Sequence, residues 1–394
     1  MTTLAIDDLY KQYEDEGALG GLLGGSGDPI RAVNGVTLSI ERGEAVGLVG
    51  ESGCGKSTLA RSVVGLEEPT AGSVKFKGQS LADASRSELK TIRRDLQMVF
   101  QDPGSSLNPR KLVRNVVGSP LIVHEGMRGR ELDDRVTELL RNVGLKEEHL
   151  YRYPMELSGG QRQRVSIARA LALDPEMIIF DEPTSALDMS VQAEILNLLG
   201  RLKREHGFAS LVISHDLSVI RYVCDRVAVM YLGEIVERGP AEDVLSTPKH
   251  PYTQSLYSSI PEPNPDVGFD PTRLAGEIPD PTNLPSGCKF HTRCPEVIPP
   301  DDLEIEQTAW VALHRLKRQI RARDLNVSDR SVAAVRESLF GDADLGRAER
   351  DVVDALEAGV DGRWEDAEAA LAEYDSICER ATPDVHEFED AESV

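Results

Sequence analysis

The stretch GESGCGKS at residues 50–57 constrains the fold of this chain more than any other feature. It fits the pattern G-x-x-x-x-G-K-[ST] between a short apolar run, AVGLVG, which predicts a buried strand, and KSTLARSVVGL, which has the apolar spacing of a helix. Backbone N–H groups in such a loop cradle phosphates, while Lys56 would neutralise their charge and Ser57 would ligate Mg²⁺. The sequence therefore predicts a nucleotide-binding loop between a strand and a helix.

A second anion-binding corner lies at LSGGQ, residues 157–161, just ahead of the helical stretch RQRVSIARALALD. A serine followed by two glycines at a helix start directs unpaired backbone N–H groups and the positive end of the helix dipole at the same point. One chain thus carries two places suited to a phosphate group, and a single bound nucleotide does not explain both.

Polar residues end two more predicted strands, in EMIIFDEP and SLVISHD. Asp181 can hold the magnesium shell, and Glu182 can polarise a water for in-line attack on a γ-phosphate. Gln101, which opens the loop QDPGSS, can reach the metal or that water, and His215 can hydrogen-bond the γ-phosphate. Taken singly, such an aspartate often caps a helix, and a lone glutamine or histidine is more often structural. Their order within one strand–helix frame favours nucleotide hydrolysis.

The alternation of strands and helices predicts an α/β core over residues 1–245. Residues 4–9 and 32–40 alternate apolar and polar side chains like exposed strands, and the Gly-rich stretch EGALGGLLGGSGDP between them predicts a flexible loop. RVAVMYLGEIVERG predicts a hairpin with Gly233 at its turn. We expect a mostly parallel sheet with an antiparallel edge and an inserted helical lobe at about 85–175.

The rest of the chain is predicted to differ from this core. The Pro-rich stretch IPEPNPDVGFDP follows it, and residues 297–394 are strongly acidic with helical periodicity, for instance in VVDALEAGV and AEAALAEYDSI. The sequence therefore predicts an acidic, mainly helical C-terminal extension with a solvated surface.

The charge balance limits the partners of the chain. Its 44 Lys and Arg residues against 67 Asp and Glu residues give a formal net charge of −23, which argues against nucleic-acid phosphate as a partner. Such acidity is also typical of proteins adapted to high salt, because ions screen the self-repulsion. The sequence lacks an apolar run long enough to span a membrane and a recognisable signal peptide, and its five cysteines fit a reducing compartment. We therefore expect a cytoplasmic protein.

With these motifs in order, roughly residues 1–260 resemble the ATP-binding subunit of an ABC transporter. The resemblance assigns Gln101 to the Q-loop and Mg²⁺ shell, Asp188 of SALD to the D-loop, and Tyr13 to stacking on adenine, although Tyr10 lies close by. It assigns Glu182, His215 and Gln101 to catalysis. The nucleotide-binding residues that it implies are Tyr13, Gly50, Glu51, Ser52, Gly53, Cys54, Gly55, Lys56, Ser57, Thr58, Gln101, Ser158, Gly159, Gly160, Gln161, Asp181 and Asp188, with Ser57, Gln101 and Asp181 around Mg²⁺.

The resemblance also implies partners and an explanation for the two anion-binding corners. In this family two nucleotide domains pack head to tail, so the signature LSGGQ of one chain covers the γ-phosphate held by the other. The implied assembly contains a second ATPase subunit in a heterodimer, two transmembrane permease subunits and an extracellular solute-binding protein. It places the chain on the cytoplasmic face of the membrane as a peripheral subunit without a nucleic-acid partner.

A narrower resemblance concerns residues 246–296. STPKHPYTQSLYSSIP and PSGCKFHTRCP are similar to the C-terminal hallmark of ATPases from oligopeptide, dipeptide and nickel importers, and VFQDPGSSLNPR is similar to the second ATPase of their pair. The implied activity is ATP hydrolysis that energises peptide import, with a non-peptide solute such as a sugar or nickel as the alternative. A soluble ABC ATPase acting on nucleic acid or ribosomes is the alternative of another class. The acidic charge and the single motif set argue against it.

The cysteines near the C-terminus are the remaining candidate site. Some members of the importer group carry four cysteines here as iron–sulfur ligands; Cys288 and Cys294 match, and Cys378 in SICERATPDV would be the third, beyond the acidic insertion. Because a closed cluster needs four donors, His291 or a partner residue would have to complete an iron–sulfur or zinc site. The alternative is free buried thiols. Cys54, inside the phosphate loop, is predicted to be a small space-filling residue.

Overall fold

The computed structural model describes residues 1–14, 29–259, 274, 276–325 and 331–383. The chain divides into two compact units, Met1–Gly268 and Phe269–Val394, so the importer-like segment is shared between them. The predicted Pro-rich stretch, and the predicted Gly-rich loop apart from its last residue, lie outside the described residues.

Two sheets build the first unit. A six-stranded sheet has the strand order β10-β9-β3-β8-β7-β6, and a four-stranded antiparallel sheet has the order β2-β1-β4-β5. In the described residues the strands are β1 (Thr2–Tyr13), β2 (Ile30–Glu41), β3 (Ala45–Val49), β4 (Ala71–Phe76), β5 (Gln79–Ser80), β6 (Leu96–Val99), β7 (Met177–Asp181), β8 (Ala209–Ile213), β9 (Arg226–Tyr231) and β10 (Glu234–Pro240).

The larger sheet matches the predicted core. Strands β6, β7, β8, β3 and β9 run parallel, and β10 pairs antiparallel with β9 at the edge, turning at Gly233. Every residue of β3, β7 and β8 is buried. Parallel strands covered on both faces carry continuous apolar runs for this reason. Because parallel strands end at the same edge of a sheet, the residues after β3, β7 and β8 are brought close together.

The four-stranded sheet contains the two predicted strands in an arrangement that the sequence does not predict. Residues 4–9 and 32–40 form strands with buried and exposed positions, and their apolar side chains, for example Leu4, Ile6 and Leu38, belong to the core of the first unit. Alternation shows that one face of a strand is apolar. It does not show that the strand belongs to a separate antiparallel sheet whose apolar face packs into the core.

Helices of the first unit fill the connections between the strands. Several of them begin at a capping side chain, such as Ser85, which forms a reciprocal capping box with Glu88. In the described residues they are α1 (Lys56–Val63), α2 (Arg86–Asp95), α3 (Pro103–Ser106), α4 (Val113–Val117), α5 (Ser119–His124), α6 (Gly129–Asn142), α7 (Gly159–Leu171), α8 (Met189–His206), α9 (Leu217–Val223), α10 (Ala241–Ser246) and α11 (Pro251–Ser258), with 3₁₀ turns at Glu147–Tyr151 and Pro154–Glu156.

The second unit is helical, as predicted for the acidic extension. Its apolar core surrounds the fully buried Trp310. The helix predicted in AEAALAEYDSI, residues 367–377, is shorter than the apolar spacing indicates: it ends at Ala370. In the described residues the helices are α12 (Gln307–Arg321), α13 (Val332–Phe340), α14 (Glu349–Val360), α15 (Trp364–Ala370) and α16 (Ile377–Arg380), with a 3₁₀ turn at Gly346–Ala348. Across the described parts of both units, none of the helices has the length and apolarity needed to cross a membrane.

Candidate functional site

The phosphate loop connects β3 to α1 and is built around the buried Lys56. The Lys56 ammonium donates hydrogen bonds to the carbonyl oxygens of Gly50 and Glu51, each at 2.8 Å. Glycine is required at both ends of the loop: a Cβ on Gly50 would lie 2.1 Å from the Met230 carbonyl oxygen, and a Cβ on Gly55 would lie 2.0 Å from a neighbouring backbone carbonyl oxygen. The loop is therefore wedged against the backbone around it, with its lysine folded back over its first residues.

Ser57 and Asp181 meet where β7 ends beside α1. The Ser57 hydroxyl donates to the Asp181 carboxylate at 3.0 Å, and Asp181 is almost fully buried. Burial raises the pKa of Asp181, an effect that the Ser57 hydrogen bond partly opposes. A hydroxyl and a carboxylate at this spacing suit Mg²⁺, and a bound cation would favour the ionised form of the acid.

Glu182, Gln101 and His215 also converge at this edge of the sheet. The Gln101 side-chain amide donates to one carboxylate oxygen of Glu182 at 2.8 Å, and His215 Nδ1 lies 3.3 Å from the other. Glu182 has a positive φ of 44°, an unfavourable conformation for a residue other than glycine, and such strain concentrates at functional sites. The structure thus brings together the three residues that the sequence predicts to be catalytic.

An open cavity of about 390 Å³ has Gln101 and Asp181 in its wall. Arg61 is a lining residue that the sequence analysis missed, although it lies one helical turn after Ser57 and so faces the same side of α1. The cavity is lined by Arg61, Phe100, Gln101, Asp102, Ser105, Ser106 and Asp181.

The signature residues form the N-terminus of α7. Ser158 caps the helix by accepting a hydrogen bond from the Gln161 N–H, while the Gln161 side chain accepts one from the Ser158 N–H. The helix start packs closely against α8, since a Cβ on Gly160 would lie 2.5 Å from Val191. Asp188 caps α8 by accepting from the Val191 N–H at 3.0 Å, which lowers the pKa of Asp188. Both motifs are thus held by local capping.

Tyr13 lies near the far end of the phosphate loop. Burial raises its pKa, a hydrogen bond with Glu67 raises it further, and a hydrogen bond with the Thr58 hydroxyl lowers it. The Lys11 ammonium lies 5.0 Å from the centre of the Tyr13 ring. The structure therefore places Tyr13 beside Thr58, and its stacking on adenine stays a prediction.

Two of the candidate cysteines are neighbours in the second unit. The Cys288 N–H donates to the Cys378 carbonyl at 2.9 Å, so folding closes the gap that the acidic insertion creates. Burial raises the pKa of Cys294 to about 12, which keeps that thiol protonated. His291 Nδ1 is bonded to the Cys288 carbonyl at 2.7 Å, leaving its other ring nitrogen for another partner. Three thiols do not fill a closed tetrahedral site, and metal ligation by them stays a prediction.

The described residues contain a group of three other metal-type side chains, His291, His314 and Glu379, whose ligand atoms lie within 4.8 Å of one another. His314 Nε2 is 3.0 Å from one Glu379 oxygen, and Arg321 donates to the other at 3.1 Å. Lys317 lies 3.8 Å from Glu379 and bonds mainly to the neighbouring Asp375 carboxylate. Two cations thus balance two carboxylates, so this cluster is an ion-pair network that needs no metal for neutrality.

The fold and the loop geometry define the class: this is a P-loop ATPase of the ABC type. Residues 33–185 match the ABC transporter family, residues 236–299 match the oligopeptide/dipeptide transporter C-terminal region, and residues 307–391 match a domain of unknown function. A dimeric structure of the ATP-binding cassette MJ0796, bound to ADP and phosphate, is 34% identical with a TM-score of 0.54, covering 60% of this chain and 98% of that one.

Curated relatives narrow the family further. A di/tripeptide transport ATP-binding protein of Pseudomonas aeruginosa is 46% identical over 294 residues, covering 75% of this chain and 90% of the relative. An oligopeptide transport ATP-binding protein of Bacillus subtilis is 46% identical, with coverages of 79% and 97%, and one of Escherichia coli is 49% identical, with coverages of 68% and 80%. The chain belongs to the family of oligopeptide and dipeptide ABC transporter ATP-binding proteins, and its enzymatic activity is ATP hydrolysis coupled to transport.

Proposed function

We propose that this chain energises the import of oligopeptides or dipeptides from the cytoplasmic face of the membrane, as a peripheral subunit. Its partners are a second ATPase subunit, two permease subunits and an extracellular solute-binding protein. The observation that carries the proposal is that one chain combines an importer-type C-terminal match with a converged group of catalytic side chains. The names of the relatives support peptide as the cargo.

The proposed chemistry follows from the contacts around β7. The loop from Gly50 to Thr58 binds the phosphates. Ser57, Asp181 and Gln101 would hold Mg²⁺, which would neutralise phosphate charge when bound. Glu182 orients and deprotonates the attacking water. Its hydrogen bond with Gln101 supports this role, because it fixes one carboxylate oxygen beside a residue that lines the cavity.

His215 contacts the γ-phosphate in this scheme, and Tyr13 contacts the adenine. His215 is 59% exposed at the side chain while the Glu182 carboxylate is 15% exposed, so the imidazole has room to move between Glu182 and a bound phosphate. Tyr13 lies beside Thr58, at the end of the loop from which a base would extend.

The signature residues Ser158 to Gln161, together with Asp188, act on the nucleotide of the second ATPase subunit. The capped start of α7 supports this role, because backbone N–H groups and the helix dipole favour an anion there. Two composite sites then form in a head-to-tail heterodimer. Closure of that dimer depends on the γ-phosphate, which couples ATP binding to a change in the permeases.

The proposed domain organisation has three regions. Residues 1–245 form the ATPase domain, with the helical lobe at about 85–175. Residues 246–296 form the importer-type region, and residues 297–394 form an added acidic helical region.

Transport by the reconstituted complex tests the cargo. Proteoliposomes with both ATPase subunits, both permeases and the binding protein should take up labelled dipeptides or oligopeptides in the presence of ATP. Lys56→Ala in this chain is the control for ATP dependence. Uptake of nickel or a sugar without uptake of any peptide would overturn the peptide assignment while leaving the ATPase intact.

Mixed complexes test the head-to-tail arrangement. Gly159→Asp places a carboxylate where the neighbour's γ-phosphate would lie, and like charges oppose closure there. MgATP binding by the isolated Gly159→Asp chain should stay unchanged, while hydrolysis at the composite site with the partner's phosphate loop should be lost. Lys56→Ala should damage the other composite site. Loss of nucleotide binding by a folded Gly159→Asp monomer would show that the signature acts on the nucleotide of its own chain.

A further inference from the structure

One side chain of the importer-type segment, Tyr252, contacts the phosphate loop. Tyr252 lies on α11, in the sequence KHPYT, and its side chain is fully buried. Its hydroxyl oxygen accepts a hydrogen bond from the Glu51 backbone N–H at 2.9 Å. Tyr252 thus contacts the second residue of the phosphate loop, from which it is separated by 201 positions in the sequence.

The contact fixes one peptide group from both sides. The Glu51 N–H and the Gly50 carbonyl belong to the same planar peptide unit. Tyr252 accepts from its N–H, and Lys56 donates to its carbonyl at 2.8 Å. Rotation of this peptide would therefore break both hydrogen bonds. It would leave the Lys56 ammonium, which is expected to contact phosphate, with its second carbonyl contact, the one to Glu51, and so in a less fixed position.

Tyr252 is itself held rigidly by the chain around it. The Glu237 carboxylate on β10 accepts from the N–H groups of Lys249 and His250, at 2.8 and 3.0 Å. His250 Nδ1 then accepts from the Tyr252 N–H at 3.1 Å, which caps α11. The Tyr252 ring packs 4.7 Å, between ring centres, from the ring of Tyr231 at the end of β9. The hydroxyl is therefore presented to the loop from a fixed position.

We propose that Tyr252 is a positioning residue for nucleotide binding: it fixes the Gly50–Glu51 peptide, and through that peptide the Lys56 ammonium. The importer-type segment thereby sets the affinity of the phosphate loop for MgATP. The inference rests on the phosphate-binding role proposed for this loop, and it is independent of the transported solute.

Tyr252→Phe is the direct test, because it removes the hydroxyl and keeps the ring. The full chain should bind a fluorescent MgATP analogue about tenfold more weakly, the effect expected when a loop N–H loses its acceptor. In the assembled transporter KM for ATP should rise more than kcat falls, since Glu182 and its partners are unchanged. Tyr257→Phe, the same chemical change on the same helix, is the matched control and should match the parent.

Two further variants keep the test decisive. Glu237→Ala, which loosens the start of α11 without touching the loop, should weaken MgATP binding in the same direction by a smaller factor. It replaces Tyr252→Phe if that variant unfolds. Unchanged MgATP affinity in folded Tyr252→Phe, or an equal loss in Tyr257→Phe, overturns the inference. Lys56→Ala separates it from the proposed function: if Lys56→Ala binds MgATP like the parent, the phosphate-binding assignment itself is wrong.

Discussion

The two units of the chain differ in which side chains surround their buried carboxylates. In the ATPase unit, Asp181 accepts from the Ser57 hydroxyl and lines an open cavity, and the adjacent Glu182 accepts from the Gln101 amide. In the C-terminal unit, Glu379 is enclosed by His314, Lys317 and Arg321. Burying a charge is costly unless a partner compensates it. A carboxylate that lines a cavity and whose direct hydrogen bond comes from a neutral donor is therefore prepared for a ligand, whereas one enclosed by cations stabilises the fold.

Among the changes that test this comparison, we expect Glu182→Gln to have the largest effect. ATP hydrolysis should fall by about 100-fold or more, because an amide cannot accept the proton of the attacking water. MgATP affinity should stay close to that of the parent, since the loop and Lys56 are unchanged. Steady-state ATPase rates of the assembled transporter and analogue binding by the full chain measure the two effects. Turnover at the parental rate would remove Glu182 from the catalytic role.

Glu379→Gln is the counterpart in the other unit. The variant keeps the shape of the side chain and leaves Lys317 and Arg321 with one carboxylate fewer, so we expect a loss of about 1.5–3 kcal/mol in the stability of that unit. Hydrogen exchange of the α12 amides in the full chain reports this loss. The fold of the ATPase unit and analogue binding should not change. If Glu379→Gln left α12 protection unchanged, the cation-enclosed carboxylate would not be a stabilising element.

Lowering the pH should remove the difference in α12 exchange protection between the parent and Glu379→Gln. The hydrogen bond with His314 and the charges of Lys317 and Arg321 outweigh burial and lower the pKa of Glu379 below its ordinary value of 4.5. A lowered pKa contributes stability that is fully present above the unfolded value and is lost as pH falls through the folded value. The gap in α12 protection should therefore stay constant above pH 4.5 and narrow below it. If the difference in α12 protection became larger as the pH fell, the lowered pKa of Glu379 would not be the cause of the stabilisation.

A change in salt concentration should alter stability less, for each pair of charges affected, than the substitutions above. Like-charged side chains one helical turn apart destabilise a helix by about 0.2–0.5 kcal/mol each, and salt screens that repulsion. The unfolding midpoint should rise as KCl increases from dilute to molar concentration, with a larger gain of exchange protection in the acidic helices α14 and α15 than in strands β3 and β7. Betaine at equal osmolality is the uncharged control. A flat response to KCl would remove the interpretation of the acidity as an adaptation to salt.

Much of the site is readable from the sequence because its motifs are local. The glycine spacing before Lys56, the apolar run ending at Asp181, and the serine and glycines at 158–160 each specify a loop or helix start within a few residues. The alternation of strands and helices likewise predicts parallel strands whose ends share an edge. The meeting of Gln101, Glu182 and His215 follows from that rule, since they stand after β6, β7 and β8.

Other features were set only by tertiary packing. The sequence does not show that β1 and β2 belong to a separate sheet, that the Cys288 N–H bonds to the Cys378 carbonyl across the acidic insertion, or that Tyr252 contacts Glu51. Local spacing determines what a segment can form, because it depends on neighbours within a turn or a strand. Contacts between distant segments depend on sheet register and on the packing of every element between them, so the sequence alone determined the nucleotide-binding motifs, and the tertiary structure decided what holds them in place.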